Sequence, residues 1–350
     1  MNDPTTPAVA AFEHHFARLT ALVQERLEVE WEFHRREDLE GLQSELLELV
    51  REFGALLRVV YHYNLTEALG REAAWYASAL KSRGPGEDAL SLLLDSWIVA
   101  VQGLIKPPEC NILARPLQEL RANLAGIFQE ADSRRGTPPA PHISVLVDRL
   151  IMGDHPGARD LLRTRMTAGM PAHEVIVGML LPAMTEVGRR WELNELAIFE
   201  EHLATETVQR LILGLSALSP PVGPKDRTAL VSCVPFDEHQ TLPLALGTFL
   251  ELRGWQVRSL GRSLPAKEIG KAASALRPDT IFLSLAMLSR LAVALDLVRL
   301  LKEVLPRSPI FIGGRGAEPG RALLEEVGAC VIQDFDEAHR RAEQGVLSRA

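Results

Sequence analysis

Val231-Ser232-Cys233-Val234-Pro235-Phe236-Asp237-Glu238-His239 is the stretch that decides the fold. An apolar, β-branched run stops at a proline, and two carboxylates and a histidine follow. Apolar residues then return at helical spacing, at Leu242, Leu244, Ala245, Phe249 and Leu252. Strand, loop and helix in that order make the first unit of a parallel α/β sheet. Such sheets bind ligands beyond the carboxyl ends of their strands, which is where this reading puts His239.

Downstream the alternation continues. Strands are expected over 228–234, 256–260, 280–285, 309–313 and 330–332. Helices are expected over about 241–253, 265–276, 290–305 and 319–327, with a last one from Asp336. No Gly-x-Gly-x-x-Gly or Walker A motif follows the first strand, and Gly313-Gly314-Arg315-Gly316 follows the fourth instead. The sheet is therefore not expected to hold NAD or ATP.

Upstream, two proline-rich linkers divide the chain, Ser133–Pro141 and Ser219–Pro224. Between them four helical segments are expected, about 143–153, 156–168, 172–190 and 195–216. From Phe12 to about Gln129 the sequence is helical almost throughout. The chain thus reads as multidomain: an all-α domain over 1–132, a four-helix bundle over 142–218, and an α/β Rossmann-like (flavodoxin-like) domain over 226–350. The first domain holds an aromatic cluster, Arg58-Val59-Val60-Tyr61-His62-Tyr63, with Trp75-Tyr76 and Trp97 nearby. It reads either as core aromatics with polar tips or as a pocket for a flat conjugated ligand.

Composition narrows the function. The formal net charge of −8 disfavours a general nucleic-acid binder, which needs a basic face. Arg134-Arg135 and Arg189-Arg190 are too short to make one. No stretch reaches the roughly 18 uninterrupted apolar residues of a membrane span. The N-terminus lacks the basic and apolar regions of a secretory signal. Cys110, Cys233 and Cys330 are scattered and odd in number, so neither a disulfide framework nor a zinc site is expected. A reduced, cytoplasmic setting follows.

The histidine loop has partners at fixed intervals. Asp237-x-His239, then Ser284 at the end of the third strand, then Gly313-Gly314 after the fourth resemble the cobalamin-binding pattern Asp-x-His-x-x-Gly, Ser-x-Leu, Gly-Gly. Methionine synthase, methylmalonyl-CoA mutase and their relatives share it. Leu242 stands where that pattern has glycine, and Ala286 where it has leucine. The resemblance implies that His239 is the lower ligand of cobalt, oriented by Asp237 or Glu238. It also implies that Ser284, Gly313 and Gly314 line a slot for the dimethylbenzimidazole tail.

The preceding bundle carries Met184-x-x-Val187-Gly188-x-x-Trp191, then nine residues, then Glu201-His202. This is similar to the cap of the light-sensing adenosylcobalamin proteins. The resemblance implies a tryptophan packed on the adenosyl group and a Glu-His pair bordering the upper face. It also implies that His202 can become the upper ligand after photolysis. The expected function is light sensing without turnover, with no catalytic residue. The output is a change of quaternary structure in a homo-oligomer, or binding of a protein effector. No membrane and no direct nucleic-acid contact is expected, because the first domain lacks a basic recognition helix. A corrinoid carrier for methyl transfer, or a transcription antirepressor acting through a protein partner, are the alternatives. The helical first domain looks compatible with the photocobilin subgroup, which implies biliverdin there. Arg58, Tyr61, His62 and Tyr63 are then the pocket candidates, and Cys110 an attachment candidate.

Overall fold

The computed structural model describes residues 5–34, 43–82, 86–133, 139–193, 195–219 and 222–347. The linker residues 134–138 and 220–221 named above lie outside them. The chain divides into two compact units, Met1–Thr137 with Trp191–Glu195, and Pro138–Arg190 with Leu196–Ala350. Among the described residues no helix is long and apolar enough to cross a membrane.

The first unit is built from α1 (Thr5–His34), α2 (Gln43–His62), α3 (Thr66–Ser82), α4 (Gly86–Leu104), α5 (Glu109–Ala122) and α6 (Leu124–Ser133). Its core forms around Trp97, Phe12 and Phe53, all buried. Phe12 meets the Tyr61 ring edge-on at 4.9 Å, and Phe53 meets Tyr76 at 5.4 Å. Trp75 donates its indole N–H to Glu192 at 2.7 Å, within the segment 191–195 that groups with this unit.

The second unit begins with the cap helices: α7 (Pro141–Ile151), α8 (His155–Thr167), α9 (Ala172–Val175), α10 (Leu181–Glu192) and α11 (Ile198–Leu218). A π-helical segment, Ile176–Leu180, joins α9 to α10 without a break. The four segments expected from periodicity are therefore present, the third with a π-bulge that sequence spacing does not reveal. Asp154 caps α8 by accepting from the Gly157 N–H at 3.0 Å. Glu186 on α10 is buried and accepts from Arg189 at 2.7 and 2.8 Å and from Arg190 at 2.8 Å. Hydrogen bonds from Arg189 hold its carboxyl below the usual range, against the effect of burial. The arginine pair is thus internal wiring.

The sheet follows, as β1 (Thr228–Cys233), β2 (Gln256–Gly261), β3 (Thr280–Ser284), β4 (Ile310–Gly313) and β5 (Ala329–Val331). The helices between and after the strands are α12 (Thr241–Glu251), α13 (Ala266–Leu276), α14 (Leu291–Val304), α15 (Arg321–Glu326) and α16 (Phe335–Leu347). All strand pairs are parallel, in the order β2-β1-β3-β4-β5. β1 and β3 are apolar runs buried on both faces, whereas β2 is an edge strand with Arg258 and Ser259 exposed. This order reverses direction between β1 and β3, which creates the crevice where doubly wound sheets bind ligands.

Phe249 of α12 anchors the packing behind the sheet. It is fully buried, meets Phe335 at 5.5 Å and lies 4.4 Å beneath the Arg253 guanidinium. Phe249→Ala is expected to cost about 3–5 kcal/mol in urea unfolding of the full chain. Near the C-terminal end of α11, a Cβ added at Gly214 meets nothing within 4 Å. Gly214→Ala is expected to stabilise by about 0.5–1 kcal/mol in the same measurement.

Candidate functional site

The strand register brings the sequence motif together. Cys233 pairs with Ser284, and Ser284 pairs with Gly313. The residues that end β1, β3 and β4 thus lie in one row, and the loops after them leave the sheet from the same level. Backbone bonds stitch these loops together: Val234 N–H to Ser284 O at 3.0 Å, Leu285 N–H to Gly313 O at 2.8 Å, and Gly316 N–H to Leu285 O at 3.0 Å.

Asp237 occupies the switch point. Its side chain is 0% exposed. One carboxylate oxygen accepts from His239 Nδ1 at 2.7 Å and from the His239 backbone N–H at 3.1 Å. The other accepts from the Ala286 N–H, beyond β3, at 2.7 Å. Burial raises the Asp237 pKa, but the bonds from the His239 ring and from the Ala286 and His239 amides outweigh it, so the carboxyl titrates below its usual range. The bond from Asp237 raises the His239 pKa, against burial and against Arg315. Asp237 therefore fixes the ring and its tautomer and leaves Nε2 to face outward, as a ligating histidine requires. Hydrogen positions here follow from the bonding pattern.

Glu238 does something else. It is exposed, accepts from the Ser263 hydroxyl and pairs with Arg262 at 3.3 Å. Of the two carboxylates beside His239, Asp237 alone orients it, because only Asp237 turns inward beneath the loop. Cys233, at the end of β1, is buried, and burial pushes its thiol up to about 12.

A cavity of about 360 Å³ opens beside this loop, lined by Leu242, Leu246, Phe282, Ser284, Gly313, Gly314 and Ile332 among others. Among the described residues Ser284 Oγ is buried without a hydrogen-bond partner, so it has bonding capacity to offer inside the cavity. Gly314 has φ +111°, and a Cβ there would overlap the Leu285 carbonyl oxygen. At Gly313 a Cβ would sit 3.2 Å from Ile332 O. These glycines keep one wall at backbone thickness. Leu242 adds apolar bulk to the lining, and Arg315, Glu318, Gln333 and Asp334 add polar groups. A largely apolar slot with thin glycine walls suits a flat heteroaromatic group, and the exposed His239 on the loop after β1 suits a borderline-soft metal.

The cap places Glu201 and His202 in the first turn of α11. Glu201 accepts from Thr205 at 2.7 Å, and its charge acts on His239, so this helix start faces the histidine loop. The His202 side chain is 72% exposed; its Nδ1 lies 3.0 Å from Ile198 O. Two turns further along α11, Gln209 donates to Thr241 Oγ1 at 3.0 Å and accepts from Gln240 Nε2 at 3.1 Å. Sequence reading missed this clasp between the cap and the residues that follow His239. Trp191 is half-buried on the last turn of α10.

In the first unit the pocket candidates have other partners. Arg58 donates to Glu13 at 2.6 and 3.0 Å and stacks over Phe16 at 4.6 Å. Tyr61 is buried, with its hydroxyl bonded to Leu113 O at 2.8 Å. Arg58 is exposed and Tyr61 buried, and each has a partner within this unit. His62 is exposed and meets the Tyr63 ring at 4.6 Å. Cys110 is a buried free thiol.

Comparison with known proteins agrees with this geometry. Residues 143–213 match one family model described as a B12 binding domain, and residues 227–342 match another of the same description. The chain is 29% identical over 247 residues to the HTH-type transcriptional repressor CarH of Myxococcus xanthus, covering 69% of this chain and 79% of that one. It is 33% identical over 165 residues to the repressor CarA of the same organism, covering 46% of this chain and 54% of that one. Dimethylamine corrinoid protein 3 of Methanosarcina acetivorans is 27% identical over 182 residues, covering 51% of this chain and 85% of that one.

The Asp237–His239 pair makes a pH-dependent contribution to stability. Asp237, held low, contributes stability that is full above about 3.9 and lost as pH falls through its depressed folded value. His239, held high, contributes stability that is full below about 6.5 and lost as pH rises through its raised folded value. The pair thus stabilises the apoprotein most between about pH 4 and 6.5. Asp237→Asn is expected to lower stability by roughly 1–2 kcal/mol in that window and to let the His239 ring pKa fall back toward about 6.5. An NMR titration of the ring in both proteins checks this; an unchanged pKa would mean that Asp237 does not hold it.

With the cap helices, the orphaned Ser284 hydroxyl and the Asp237-braced His239 in one unit, residues 143–213 and 227–342 together constitute a B12-binding module.

Proposed function

We propose that this chain is a light sensor that holds adenosylcobalamin between its helical cap and its parallel sheet, with His239 as the lower cobalt ligand. The reading is supported by an Asp237-braced His239 after β1 together with an exposed, lightly held His202 in the cap, in the spacing Trp191, nine residues, Glu201-His202. Adenosylcobalamin supplies a weak cobalt–carbon bond that absorbs visible light. Asp237 keeps the His239 ring in one orientation. Ser284 and the thin Gly313-Gly314 wall receive the nucleotide tail. By the resemblance, Trp191 packs on the adenosyl group and Glu201 borders it. His202 has no core packing to break, so it is free to reorient when that group leaves. Gln209 ties α11 to the histidine loop, which gives the cap two arrangements to choose between.

The output proposed is a change in quaternary structure or in binding of a protein partner, with no turnover and in a cytoplasmic setting. The net charge of −8 and the helical first unit favour this over direct DNA contact. A biliverdin in the first unit is the finer part of the proposal. Its support is the helical make-up and two buried groups without partners among the described residues, Trp97 Nε1 and Ser96 Oγ, which a pyrrolic ligand's carbonyls would satisfy. A corrinoid carrier is the second reading, supported by the similarity to dimethylamine corrinoid proteins.

The test is absorption and size-exclusion chromatography of the adenosylcobalamin-loaded chain, in the dark and after green light. Both the spectrum and the elution volume are expected to change. Identical behaviour before and after light rejects the sensor, and a preference for methylcobalamin without any light response supports the carrier. Co-expression with biliverdin is expected to add a far-red band; its absence rejects the second chromophore. Trp191→Ala is expected to weaken adenosylcobalamin binding by up to about tenfold while leaving hydroxocobalamin binding within about twofold, measured by equilibrium dialysis in the dark.

A further inference from the structure

Phe236 occupies a position that the protein alone does not explain. It lies in the loop between β1 and α12, with φ +64° and 60% of its surface exposed. A bulky residue in the left-handed region is strained, and glycine takes the same backbone freely. The backbone there is dictated by its neighbours: the Asp237 N–H donates to Val234 O at 3.2 Å, and the Asp237 carboxylate is pinned to Ala286 and His239. The ring itself is a separate matter, and it stands in water. Strain of this kind persists where the surrounding structure over-determines it, and it clusters at functional sites and ligand clamps.

The surroundings name that partner. Asp237 turns inward, while Phe236 on one side and His239 on the other remain exposed. An aromatic ring and an outward ligand on the same short loop suit a large, flat ligand whose metal meets the histidine and whose periphery is apolar. A corrin fits this: its rim carries methyl and methylene groups. Resting on the reading of His239 as the cobalt ligand, we infer that Phe236 is a cofactor-covering residue whose ring packs against the corrin rim and keeps water from the histidine side of the cobalt. Its burial is then deferred until the cofactor arrives, which offsets both the backbone strain and the exposure of the ring.

The experiment compares full-length wild type with Phe236→Gly, Phe236→Ala and Phe236→Tyr. Three quantities are read: the apoprotein melting temperature, the dark dissociation rate of adenosylcobalamin, and the visible spectrum of the loaded protein. Phe236→Gly is expected to melt at or above the wild-type temperature, because it relieves the left-handed φ. Phe236→Gly and Phe236→Ala are expected to release adenosylcobalamin roughly tenfold faster or more. Phe236→Tyr should stay within about threefold, and the spectrum should keep its histidine-ligated form in all four proteins. A release rate unchanged in Phe236→Gly would overturn the inference and leave the ring as a contact for another protein surface. A lower apoprotein melting temperature in Phe236→Gly would also overturn it, since the ring would then be packing within the protein. Failure of the wild type to bind adenosylcobalamin, or a spectrum without histidine ligation, would instead remove the reading of His239 on which the inference rests.

Discussion

The buried Asp237 carboxylate is the interaction on which the rest of the site depends. It accepts three hydrogen bonds, from the His239 ring, the His239 amide and the Ala286 amide. A carboxylate with no exposed surface is costly unless such donors surround it. Once they do, it joins the loop after β1 to the loop after β3 across the point where the sheet order reverses. One charge thereby sets the histidine's tautomer, its direction and the shape of the crevice. The strand register does the coarse placement, and Asp237 the fine.

The cap is tied to this centre by Gln209, which bonds Thr241 and Gln240 just past His239. Glu201, Thr205 and Gln209 follow one another at four-residue intervals along α11 and so share one face of the helix. That face runs from the Glu201-His202 end to Gln240 and Thr241, just past His239. The two Gln209 bonds are neutral and each of modest net strength, which suits the two-state cap proposed above. By contrast, Glu186 with its two arginines is a charge-assisted cluster inside the cap, suited to keeping α10 whole.

Much of this was legible in the sequence. Parallel strands buried on both faces read as short apolar runs, and all five appear within a residue or two of expectation. The intervals from His239 to Ser284 and Gly313 could be read because register makes Cys233, Ser284 and Gly313 level. The orienting carboxylate was narrowed to two adjacent residues, and only the inward turn of the loop separates Asp237 from Glu238. What escaped was non-local. The Ala286 amide lies 49 residues from Asp237, and Gln209 lies 32 from Thr241, so no local spacing announces either bond. The partners of Arg58 and Tyr61 are non-local in the same way: Glu13 and Leu113 lie 45 and 52 residues away. The π-bulge before α10 and the left-handed Phe236 are backbone features that side-chain periodicity does not encode.

The central claim is that His239, held by Asp237, is the lower ligand of cobalt. Electron paramagnetic resonance of the cobalamin-loaded protein in its cobalt(II) form, prepared with nitrogen-15 histidine, tests it most directly. The expected result is that the axial nitrogen splitting changes to that of nitrogen-15, and reverts to the nitrogen-14 pattern in His239→Ala. A nitrogen-14 splitting retained in the labelled wild type would show that the cofactor's own base, and not His239, holds the metal, and would contradict the account.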